Sequence, residues 1–174
     1  MEASQTPAGS ASGAGRSAGP RALIVLLLGA LGGSLLVVAE LSTAVTVEVD
    51  MGTCEELAGT DVRDACSVSG FEQHGGALIL LGLVAVVMAF GAGHGSSRPA
   101  ALALIAVGLI VAGIVLARDL PAAGETGLVG LRYEEARASA GTGLYLECAG
   151  AALCAAAGAL RLARPWPAWP RDSD

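Results

Sequence analysis

Lysine is missing altogether, so all the side-chain positive charge of this 174-residue chain rests on ten arginines, set against 16 acidic residues for a net charge of −6. Such a balance offers no basic face for a polyanion, which excludes nucleic acid as a partner. Short signatures of chemistry are missing as well: there is no nucleophile motif, no phosphate-binding loop and no zinc-ligand spacing. The acidic residues Glu55, Glu56, Asp61 and Asp64 lack the spacing of a calcium loop and read as a solvated surface. Hence no catalytic residue, no cofactor and no metal is expected.

Charge of either sign is scarce, at 15% of residues against 53% hydrophobic ones. The long uncharged runs matter more than the average, because about 20 apolar residues cross a hydrocarbon core. Four runs qualify: 22–41, 75–92, 100–117 and 142–160, broken only by Glu40 in the first and Glu147 in the fourth. The fourth is rich in Ala and Gly, which insert weakly, so it depends on packing against the others. Four apolar helices without a polar face need lipid or a far larger core than this chain can build. The predicted fold is an all-α four-transmembrane-helix bundle over 22–163, between a disordered cytoplasmic tail, 1–21, and a Pro/Trp tail, 164–174.

Orientation follows from arginine, which is retained in cytoplasmic segments. Arg16, Arg21, Arg98, Arg161, Arg164 and Arg171 fall on one side, and Arg63, Arg118, Arg132 and Arg137 on the other, six against four. Both termini are therefore expected in the cytoplasm of a plasma (inner) membrane. A competing reading takes Arg16 and Arg21 as the start of a signal peptide, with Ser42 and Ala44 at its cleavage site. The apolar run exceeds a typical signal core, and no lipobox cysteine follows it, which favours an uncleaved anchor. In the tail, prolines alternating with Trp166 and Trp169 forbid a helix, leaving the two indoles as an interfacial anchor or a proline-rich docking motif.

In the first outer loop, Val45, Val47 and Val49 alternate with polar residues, the pattern of a short strand. Cys54 and Cys66 lie in the same loop, on the oxidising side, and read as a disulfide. The segment between them reads as a turn of helix and a bend, and the second outer loop as carrying a short surface helix around 132–138. Cys148 and Cys154, six residues apart in the fourth helix, face different directions and read as small packing residues.

Each helix also delivers one ionisable group near the outer interface: Glu40, His74, Arg118 and Glu147. Intramembrane carboxylates are costly enough to mark functional sites. Gly150, Cys154 and Gly158 follow Glu147 at intervals of 3, 4 and 4, while Gly29 and Gly33 share a face with Glu40. Both glutamates thus sit on small-residue faces that pack helices closely, with Arg118 placed to neutralise one of them. Three readings of this group stay open: a structural ion cluster, a proton- or cation-linked site, and side chains snorkelling to the headgroups.

Four helices with a long first outer loop that opens in a strand and carries two cysteines resemble the claudin and tetraspan layout. Claudin loops are marked by Trp and Gly-Leu-Trp residues that this loop does not have, so the resemblance implies a layout and no junction or pore function. The lysine-free, Ala/Gly/Arg-rich composition, with Asp119-Leu120-Pro121 and Glu125-Thr126-Gly127, resembles the uncharacterised small four-helix membrane proteins of high-GC bacteria. That likeness implies a topology alone. The expected function is a non-enzymatic accessory, assembly or sensory protein of the cell envelope, in contact with the bilayer and with a membrane-protein partner or further copies of itself. The alternative is a small proton- or cation-linked transporter or channel component that uses Glu147.

Overall fold

In the computed structural model, which describes residues 19–49, 52–53, 66–94, 97–124 and 137–163, every apolar run becomes a helix. Helix α1 (Pro20–Leu41) opens on a proline, whose missing N–H matters little in a first turn that has no intrahelical acceptor for it. A one-turn helix, α2 (Gly70–His74), leads into α3 (Ala77–His94). Ser97 then caps α4 (Arg98–Ala122) by accepting the Ala100 N–H. Last comes α5 (Thr142–Leu162). Helices α1, α3, α4 and α5 are each long and apolar enough to cross a membrane, which makes the chain a multi-pass membrane protein by length and composition.

Within the bundle, α1 packs along α3 and α5, and α4 packs along α5; the sequence neighbours α3 and α4 meet less extensively. Backbones come closest where side chains are smallest. A methyl group on Gly33 would sit 2.6 Å from the Gly82 carbonyl oxygen, and one on Gly158 would strike the backbone at Ala101. Gly29 faces Ala89, and Gly150 faces Leu36 and Gly32, with the fully buried Cys154 against Gly32. The residues expected to pack helices therefore lie at helix contacts. Leu27, Leu31, Leu83, Val87, Leu109 and Ile110 point outwards instead. Small inside and large outside suits lipid, where close backbone packing rather than burial of bulky side chains draws helices together.

One end of the bundle carries a small antiparallel sheet. Its central strand is β1 (Thr43–Val49), which pairs with β2 (Gly52–Thr53), β3 (Ser67–Ser69) and β4 (Arg137–Ala140). Strands β3 and β4 both pair with Val45 and Thr46, so they occupy opposite edges of β1. Val45 and Val47 are buried while Thr46 between them is half-buried, the alternation a one-sided strand requires. The sheet is seated on the helices through glycine: a side chain on Gly141 or Gly143 would run into the Thr43 carbonyl, and Gly141 donates to the Ala44 carbonyl at 2.8 Å.

Three expectations need correcting or placing. Residues 137 and 138 form part of strand β4, not of a surface helix, because pairing with β1 overrides the weak local preference of an Arg/Ala stretch. Helix α4 continues past the charges at Arg118 and Asp119, where the hydropathy pattern ends it. Cys54, the rest of the 54–65 segment, residues 132–136, the tail up to residue 18, and Trp166 and Trp169 lie outside the described residues. The Cys54–Cys66 bridge, the bend between the two cysteines and the tryptophan anchor are therefore not shown; Cys148 and Cys154 are free thiols.

Candidate functional site

Beneath the sheet, the ends of all four long helices converge on a knot of ionisable side chains. Glu40, at the end of α1, is wholly enclosed. Its carboxylate accepts the N–H groups of Gly76 at 2.6 Å and Leu78 at 2.9 Å, two of the amides that the first turn of α3 leaves without intrahelical partners. A side chain of one membrane helix thus caps the next. The chain can make this approach because Gly75 and Gly76 both take positive φ, 63° and 91°, which turns it sharply from α2 into α3.

Helix α2 is held by a reciprocal capping box between Ser69 and Glu72. The Ser69 backbone N–H and hydroxyl both donate to Glu72, holding its carboxyl below the usual carboxylate range. From this short helix His74 reaches inward, its Nε2 lying 3.4 Å from Asp119 Oδ1. Gln73 donates to the same oxygen at 2.6 Å. Glu147, on the second turn of α5, faces the pair and is 3% exposed. Donor atoms of His74, Asp119 and Glu147 lie within 4.8 Å of one another.

Three of the four residues expected to cluster, Glu40, His74 and Glu147, do converge at this end of the bundle. Arg118 does not join them: it is exposed, and its guanidinium donates to the Gln73 carbonyl at 3.2 Å, tying α4 to the end of α2. The residue after it, Asp119, takes the inward place and is 2% exposed. A turn of π-helix at Val115–Asp119 makes the exchange, with the Leu120 N–H bonded five residues back to the Val115 carbonyl. In an unbroken α-helix the buried residues Leu104 and Val111 would be followed on the same face, seven residues on, by Arg118. The wider turn adds a residue and brings Val115 and then Asp119 inward, and π turns of this kind recur at functional sites.

The chemistry of the knot is an imidazole and two carboxylates shut away from solvent without an arginine among the described residues to balance them. Asp119 Oδ2 and Glu147 Oε1 are buried and accept no hydrogen bond. Glu40 is adjacent, but both its oxygens are committed to amides. No known protein family, curated protein or solved structure matches the chain.

Proposed function

We propose that the chain is a non-enzymatic protein of the cell envelope that acts, as an accessory, assembly or sensory component, through a platform built on the extracytoplasmic end of its helices. The observation that carries the reading is the sheet. Strand β1 pairs with strands from both of the longer interhelical loops, β3 from one and β4 from the other, and is seated on α5 through Gly141 and Gly143. Two loops joined in this way present one shaped surface. The enclosure of His74, Asp119 and Glu147 among the described residues supports a role without catalysis on a bulky substrate.

The orientation rests on the arginine tally, six against four, which puts the sheet outside and both termini in the cytoplasm. Outside, Cys54 and Cys66 would close a disulfide worth on the order of 3 kcal/mol in chain entropy. The buried position of Cys66, whose carbonyl accepts the Val47 N–H at 2.9 Å, supports that bridge as a brace on β1. A second reading, a cation-linked transport component centred on Glu147, draws on the unpartnered carboxylate oxygens. One turn further in, however, Leu36, Val115 and Ala151 are buried, with Val111 and Cys154 below them, which counts against a path along the axis of a single bundle.

Photo-crosslinking residues placed at Ser67 and Arg137, both exposed on the sheet, test the platform reading in intact cells. A discrete protein adduct is expected from both positions, none from the outward-facing Leu109 in mid-helix, and loss of the adduct in Gly141→Val at an unchanged protein level. Adducts that are missing from the sheet, or that persist when Gly141→Val unseats it, refute the reading.

A further inference from the structure

The mutual repulsion of the buried acids has to be answered by something. Asp119 and Glu147 face each other out of water, 2% and 3% exposed, and Arg118, the nearest arginine by sequence, is turned outward to Gln73. Like charges at such range persist only with a proton or a cation between them. A single shared proton joins one oxygen of each acid. Such a proton would account for the unpartnered Asp119 Oδ2 and Glu147 Oε1, but it leaves unexplained why an imidazole is brought to the same point, its Nε2 3.4 Å from Asp119 Oδ1.

We propose that His74, Asp119 and Glu147 form a binding site for a divalent first-row metal ion of the zinc class, set where the ends of α2, α4 and α5 meet beneath the sheet. The donor set is one imidazole nitrogen and two carboxylates, which suits zinc, cobalt or manganese. Calcium wants six to eight oxygens and magnesium keeps several waters, whereas three buried side chains offer one imidazole nitrogen and two carboxylates. Spacing agrees as well. A tetrahedral ion with bonds of about 2.0–2.2 Å holds its donors about 3.3–3.6 Å apart, and His74 Nε2 lies 3.4 Å from Asp119 Oδ1. The rest of the set closes within 4.8 Å, a gap that small side-chain movements take up.

The surroundings resemble the outer shell of a metal centre. Gln73 donates to Asp119 at 2.6 Å and fixes the carboxylate, as outer hydrogen bonds orient metal ligands. Glu40 pins the start of α3 just beyond the His74 turn, and Arg118 pins the end of α2 through the Gln73 carbonyl. The three ligands come from three elements, so a bound ion would fasten α2, α4 and α5 together under the platform. This goes beyond the platform reading: metal binding is measured on purified protein, docking in cells, and either can fail without the other.

Full-length protein purified in detergent, stripped with a chelator, is titrated with Co2+ and with Zn2+. One equivalent of Co2+ is expected, with the visible bands of nitrogen and oxygen ligation and no thiolate charge-transfer band, and Zn2+ is expected to raise the thermal midpoint. Gln73→Ala should weaken affinity roughly 10- to 100-fold, and Glu147→Gln by more than that. Ser34→Ala, an outward-facing position on α1 remote from the site, should bind like the parent. The proposal is overturned by a thiolate band, by undiminished binding in Glu147→Gln, or by no uptake in the parent protein. If Glu147→Gln raises the midpoint of the metal-free protein while Zn2+ does nothing to the parent, a shared proton is the answer and the metal site is wrong. Should Glu147→Gln fail to fold, the cobalt stoichiometry and spectrum of the parent decide alone.

Discussion

Glu40 closes a membrane-crossing helix with its carboxylate fully enclosed, and its two oxygens meet two amides, Gly76 and Leu78, that no carbonyl reaches. The acid is therefore tolerated by being used as a cap, with the positive end of the α3 dipole supplying what an arginine would otherwise supply. Glu40→Ala strips both acceptors at once and leaves two buried donors unsatisfied, a loss of about 2–4 kcal/mol. Glu40→Gln retains a single accepting oxygen and should lose about half as much. Thermal unfolding in detergent, monitored by circular dichroism, orders the three proteins. A Glu40→Ala protein as stable as its parent would mean that water reaches those amides. Glu147 behaves differently, because its Oε1 has no donor to lose.

At the scale of elements, helix contacts depend on glycine placement. Gly33 meets the Gly82 carbonyl and Ala85, while Ser34 next to it faces outward. Gly33→Leu should therefore separate α1 from α3 and destabilise by about 1–3 kcal/mol or more, whereas Ser34→Leu adds a lipid-facing side chain and should be neutral or mildly stabilising. Equal effects on the thermal midpoint would show that α1 packs by another face. The four long helices were legible in the sequence because an uncharged run of about 20 residues has few other meanings. Strand β1 was legible from its alternating valines. Strand β4 was not, because Arg137-Ala-Ser-Ala140 gains its conformation from β1 and carries no pattern of its own. Asp119 was missed for a related reason: regular helical spacing points Arg118 inward, and nothing in the sequence between Val115 and Asp119 announces a π turn.

For the molecule as a whole, charge and shape together define two unlike ends. The sheet end holds the buried acids and receives both longer interhelical loops, while the opposite end carries the short connection between His94 and Arg98, with Arg161 in the last turn of α5. On the proposed orientation arginine retention sets the direction of insertion by a narrow margin, and the Arg118 that counts against it sits at the sheet end tied to Gln73. Direction is therefore a property of the summed charge rather than of any one helix. In a background with all four native cysteines replaced by serine or alanine, single cysteines at Ser97 and Gly124 report the two ends separately. A membrane-impermeant maleimide added to intact cells should label the cysteine at position 124 and reach the one at 97 only after permeabilisation. Replacing Arg98 and Arg161 with Gln removes two of the six retained charges and brings the tally level at four against four, so a mixed population labelled at both positions is expected. Labelling at 97 alone in the unaltered charge background would invert the molecule and place the sheet, with its cluster of acids, in the reducing cytoplasm, where a Cys54–Cys66 bridge would not persist.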